Sequence, residues 1–179
     1  EDTTARIVVN ELLARFGGLW AEAIEVLATG GASDLVQLCR RFPRADGLRM
    51  IGVLDADQTA PTDTLWPVLK LPGTESPDAA LKAASAGTPE MFADRLGRGL
   101  TTLNVTLARL AGREPHDWFH DIASAMSMDV AAVVRTALEC WLADDQNERT
   151  ARKLVEAMTT ALVGEQAASP PAEPGAAQG

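Results

Sequence analysis

Cysteine is nearly absent: Cys39 and Cys140 are the only two in 179 residues. They supply no disulfide framework, and neither has a partner at metal-ligand spacing. Both fall in patterns that read as helices with an apolar face, so they are expected to be buried free thiols in a reducing cytoplasm. Long hydrophobic runs are missing too. No stretch approaches the roughly 18 apolar residues that a bilayer crossing needs, and no basic segment leads into an apolar one at the amino terminus. Neither a membrane span nor a secretory signal is expected. Positive charge is scarce, with 16 Lys and Arg against 25 Asp and Glu and a formal net charge of -9. That balance argues against a free-standing, sequence-independent nucleic-acid binder, which relies on a basic surface to displace phosphate counterions. A phosphate-binding loop of the G-x-x-x-x-G-K-[ST] kind is lacking, so no ATP site is expected in this chain.

What is present suits a globular core: 46% of residues are hydrophobic and 23% charged. Ala5, Val8, Val9, Leu12, Leu13 and Phe16 recur at helical spacing before Gly17-Gly18, which predicts a helix over residues 2–16. Residues 23–28 read as a short strand entering the turn Thr29-Gly30-Gly31. Those glycines suit positive φ better than a phosphate cradle. Ser33 is placed as the N-cap of a helix that ends before Pro43. Residues 48–54 form the clearest buried strand, 66–71 a further strand turning at Pro72-Gly73, and Pro77 opens a helix through Ala84. This alternation predicts an α/β unit with a parallel sheet. From Thr88-Pro89-Glu90 onward the pattern is helical, with segments over about 115–126, 129–143 and 147–163. The tail beyond residue 164 is rich in Pro, Ala and Gly and is expected to be disordered.

The chemistry concentrates in LRMIGVLDADQ, residues 48–58, where an apolar run ends in Asp55-Ala56-Asp57. In an open parallel sheet, ligands bind beyond the carboxyl ends of the strands. Two carboxylates at such an end repel each other unless they share a cation, and Mg²⁺ prefers hard oxygen ligands of this kind. The plainer alternative is that one Asp caps the following turn and the other is solvated.

The opening Glu1-Asp2-Thr3-Thr4-Ala5 and the run into Asp55-Ala56-Asp57 resemble the TOPRIM domain of topoisomerases, primases and certain nucleases. The stretch Val68-Leu69-Lys70-Leu71-Pro72-Gly73-Thr74-Glu75-Ser76-Pro77-Asp78 is similar to the branch in ATP-dependent nucleases of the OLD (overcoming lysogenization defect) family. The resemblance implies a TOPRIM-like parallel sheet with flanking helices over residues 1–86, its first strand lying upstream. A helical carboxyl-terminal region over 87–164 and a tail over 165–179 would follow. It implies that Glu1, Asp55 and Asp57 hold Mg²⁺ or Mn²⁺, two ions in the nuclease branch, for cleavage of a phosphodiester. A further acid and a lysine downstream belong to the pattern, for which Asp117, Glu114 and Lys153 are the candidates. Ala5 stands where some relatives carry another acid. The implied partners are DNA, an ATPase domain upstream in the same polypeptide and a second copy of the chain, in phage defence or DNA repair.

Two other functions compete. Asp55-Ala56-Asp57-Gln58-Thr59 also fits the D-x-D-x-T signature of haloacid-dehalogenase-like phosphatases, with Asp55 as nucleophile and Asp57 as general acid. A degenerate TOPRIM module serving only dimerisation or docking is the third. Pro115-His116-Asp117-Trp118-Phe119-His120 gathers both histidines, but without the glutamate of a zinc-peptidase helix it reads first as packing by Trp118 and Phe119. Trp20, Trp66 and Trp141 are expected in the core or facing a partner, and Asp144-Asp145 in a solvated loop that caps a helix.

Overall fold

The computed structural model describes residues 3–44 and 47–163. Among them the chain is mostly helical, with one small parallel pair of strands. In chain order the elements are α1 (Thr3–Phe16), a 3-10 turn (Gly18–Trp20), α2 (Ala32–Arg41), β1 (Gly52–Leu54), β2 (Val68–Lys70) and α3 (Pro77–Gly87). Then come α4 (Pro89–Arg95), α5 (Leu100–Arg109), α6 (Pro115–Met126), α7 (Val130–Leu142) and α8 (Asp145–Val163).

Helix α7 is the axis of the packing. Its sequence VAAVVRTALECWL buries Val133, Val134, Ala137, Leu138, Cys140 and Leu142, so apolar side chains cover most of its circumference. Such a helix must be surrounded to be stable, and α1, α3, α4, α6 and α8 all pack against it. Asp129 starts it, its Oδ1 accepting from the N–H groups of Ala131 at 2.8 Å and Ala132 at 3.3 Å. Helix α8 presents Ala151, Leu154, Val155 and Met158, a single stripe at i, i+3, i+4 and i+7. Asp144 caps it, accepting from Gln146 N–H at 2.9 Å and Asn147 N–H at 3.0 Å. In α6, Trp118 and Phe119 are buried; Trp118 stacks on Phe92 of α4 at 6.1 Å and meets Phe119 edge-on at 5.0 Å.

The strands pair in parallel, Gly52 with Val68, Val53 with Leu69 and Leu54 with Lys70. Alternation sends the two faces of this pair to different neighbours. Val53 and Leu69 pack against the main helical core. Gly52 faces α2, where a Cβ would stand 2.5 Å from Leu35 Cδ2 and 2.9 Å from Cys39 Sγ. Glycine is therefore required here by close approach, and its absent side chain is what lets α2 lie flat on β1. The crossover between the strands is fastened to the end of α2. Leu65 and Trp66 N–H both donate to the Cys39 carbonyl, at 3.0 and 3.2 Å, Trp66 Nε1 donates to the Phe42 carbonyl at 2.8 Å, and Arg40 pairs with Asp63 at 2.7 Å. These bonds satisfy carbonyls that a helix end leaves without intrahelical partners.

Several expectations need correction. Residues 23–28 are not in a ladder: Ile24 and Val26 pack against the core while Leu27 is exposed, so the alternation reports a half-buried segment rather than a paired strand. Alternation specifies a face; only a neighbour of matching register makes a strand. The strands expected over 48–54 and 66–71 shrink to three residues each. Pro67 accepts from Gly52 N–H at 2.8 Å but has no N–H of its own to carry the ladder back toward Met50. At the other end Leu71 N–H closes on the Leu54 carbonyl at 2.8 Å, and Pro72 stops the pairing. Helix α2 has Gly31 rather than Ser33 as its N-cap. Helix α3 runs on to Gly87, with Ser76 capping it through Ala79 N–H. The helix opened by Pro89 ends at Arg95, because Gly97 takes φ +64° and turns the chain into a separate α5. The tail over 165–179 lies outside the described residues.

Candidate functional site

Asp55 is the first residue beyond β1, and its backbone carbonyl accepts from Gln58 N–H at 3.1 Å, closing a turn over Asp55-Ala56-Asp57-Gln58. Within that turn the three residues are treated differently. Asp55 is half-buried, Ala56 is buried, and Asp57 is exposed and accepts from Gln58 Nε2 at 3.2 Å. Ala56 anchors the turn because its methyl group points inward against the loop after β2; a Cβ at Gly73 would lie 4.0 Å from Ala56 Cβ. Gly73 itself has φ +107°, a conformation that side-chain-bearing residues rarely adopt. The L-P-G turn at residues 71–73 thus holds its shape through glycine and lies against the acidic turn.

The helix that follows holds a carboxylate apart from that acid pair. Asp78, in the first turn of α3, has its Oδ1 buried without a hydrogen-bond partner. Buried polar atoms are nearly always satisfied, so an orphan acceptor marks a place where the protein has left something to be bound or has stored a cost. The sequence signal was available, since Asp78 closes the quoted stretch 68–78, but its burial was not.

The other expected site residues are distributed more widely. Asp117 is exposed in the first turn of α6, and Glu114 is the exposed residue that precedes this helix. Lys153 is exposed on α8, beside the buried stripe. Among the described residues, no group of three or more His, Cys, Asp and Glu side chains is placed to hold one metal ion. Asp117 therefore does not join Asp55 and Asp57 in one cluster. Glu1, the third expected ligand, lies outside the described residues.

Comparison with protein-family models, curated proteins and solved structures finds no match.

The arrangement has a definite chemical character. Asp55 and Asp57 are hard oxygen donors, suited in kind to Mg²⁺ or Mn²⁺, which take carboxylate and water oxygens and keep open positions for phosphate. The two cysteines lie apart from these acids and are buried. Burial pushes both thiols above the ordinary range, and in Cys140 that effect prevails over the opposing hydrogen bond with Thr88. A raised pKa leaves little thiolate near neutral pH, and both thiols are buried. No helix among the described residues is long and apolar enough to cross a membrane.

Proposed function

We propose that this chain is the TOPRIM-like part of an OLD-type enzyme and cleaves phosphodiester bonds of DNA with Mg²⁺ or Mn²⁺ held at the Asp55-Ala56-Asp57 turn. The observation that carries the proposal is positional: the two acids stand directly beyond the carboxyl end of β1, in a parallel pair covered by α2 on one face and the helical core on the other. Asp55 and Asp57 would hold the ion, with Glu1 as the third ligand. When bound, the metal supplies a lowered pKa for its water and charge stabilisation for the leaving oxygen. The protein's own part is orientation. Half-burial limits the freedom of Asp55, the inward methyl of Ala56 pins the turn, and exposed Asp57 faces arriving substrate. The net charge of -9 requires the metal and a basic partner, such as an upstream ATPase domain, to supply the attracting field.

Metal titration tests this directly. Mg²⁺ or Mn²⁺ is expected to bind, and Asp55→Ala to abolish both binding and metal-dependent cleavage of plasmid or single-stranded DNA. Its melting temperature should change little, because relieving two like charges offsets what the turn loses. Metal binding that ignores Asp55 and Asp57 sinks the proposal, and hydrolysis of a phosphate monoester with DNA left intact transfers the acids to a phosphatase. Docking is the reading that inherits the site if no metal binds. It draws support from the exposed Leu38 and Phe42 of the α2 end and Leu65 of the crossover.

A further inference from the structure

The protein has two histidines, and they stand one helical turn apart on α6. Packing was the expected role of this stretch, but the structure divides the labour: Trp118 and Phe119 are buried, whereas His116 and His120 are both exposed. Their ring centroids are 6.1 Å apart with the planes inclined by 52°. Both rings lie outside the buried core, on the solvent side of α6.

We infer that His116 and His120 form a chelating site for a late first-row divalent metal ion, with Cu²⁺ held more tightly than Ni²⁺ or Zn²⁺. The i, i+4 spacing on one helical face is the one by which helices present two imidazoles to a single ion. A metal about 2.0–2.1 Å from one nitrogen of each ring lies about 3 Å from each centroid. Centroids bridged at the roughly 90° cis angle of tetragonal copper are thus about 4.5 Å apart, and at the tetrahedral angle of zinc about 5 Å. From 6.1 Å, chelation calls for the two exposed rings to turn toward each other about their side-chain torsions. Imidazole nitrogen selects copper, nickel and zinc over magnesium, and the general order of affinities places copper highest. The local charge permits a cation. Arg113, just ahead of the helix, is paired with Asp121 at 2.7 Å and also lies in the field of Asp117, which together raise its pKa. Water completes the coordination sphere, so the ion stays accessible to a further ligand. This site differs in metal class and in place from the proposed magnesium site at Asp55 and Asp57.

The test is titration of the untagged protein with CuCl₂, followed by calorimetry and by electron paramagnetic resonance of the bound ion. One equivalent should bind with the spectral signature of two imidazole nitrogens. His116→Ala and His120→Ala should each weaken binding roughly 100-fold, because the second ring acts intramolecularly once the first is bound. Asp55→Ala should leave copper affinity unchanged, and far-ultraviolet circular dichroism should show α6 intact in both histidine variants. Wild-type affinity in either histidine variant overturns the assignment, as does copper binding that is lost with Asp55→Ala instead.

Discussion

The helical body and the small strand layer are built on different principles. Around α7, side chains such as Phe92, Leu103, Ile122, Val133 and Val134 are fully buried, and stability there comes from close-packed apolar contact. The strand layer has three-residue ladders and adds to its apolar contacts a set of polar ties: carbonyls at the end of α2, the Arg40–Asp63 pair and the donation from Trp66 to Phe42. The candidate acids sit in this second region. A rigid body that carries the folding energy leaves a lightly built layer free to place charged groups where water can reach them. Stability and chemistry should therefore be separable by mutation.

The strongest way to break that contrast is Phe92→Ala. Its ring is fully buried and stacked on Trp118, and its removal should cost about 3–5 kcal/mol. Chemical denaturation would measure this; a cost near zero would mean that the helical body is not the source of stability. Next comes Gly52→Val, which drives a branched side chain into Leu35 and Cys39. A loss of about 1–3 kcal/mol is expected, and Leu35→Ala in the same chain should restore part of it. Failure of the second substitution to compensate would show that α2 does not rest on β1 as described.

The smallest effect concerns Asp63, whose carboxyl is held below its ordinary range chiefly by the hydrogen bond from Arg40. Because the folded value is depressed, the stabilisation is present above the unfolded pKa and disappears as pH falls through the folded one. Thermal melts of Asp63→Asn should lie slightly below wild type at neutral pH and converge with it in acid. Raised salt should shrink the difference, since the pair is exposed. A gap that widened in acid would reverse the sign and exclude this role.

Much of the helical body was legible from local pattern. The segments expected over 115–126 and 129–143 correspond to α6 and α7, and the spacing Ala151, Leu154, Val155 and Met158 alone defines the buried face of α8. Helical periodicity and caps are local, so they survive in any window of a dozen residues. Strands were less readable. Residues 23–28 have the right alternation without a ladder, and Pro67 trims a strand that hydropathy alone extends.

The amino-acid sequence by itself determined that two carboxylates follow an apolar run, that both histidines stand four residues apart, and that an L-P-G turn sits ahead of a capped helix. These are facts of spacing, and covalent geometry carries them into any fold. Only the tertiary structure decided that Ala56 points inward while Asp57 points out, that Asp78 buries an oxygen without a partner, and that His116 and His120 are left outside while Trp118 and Phe119 enter the core. Exposure is set by neighbours distant in the chain, and a side chain's chemistry depends on the solvent that those neighbours admit or exclude.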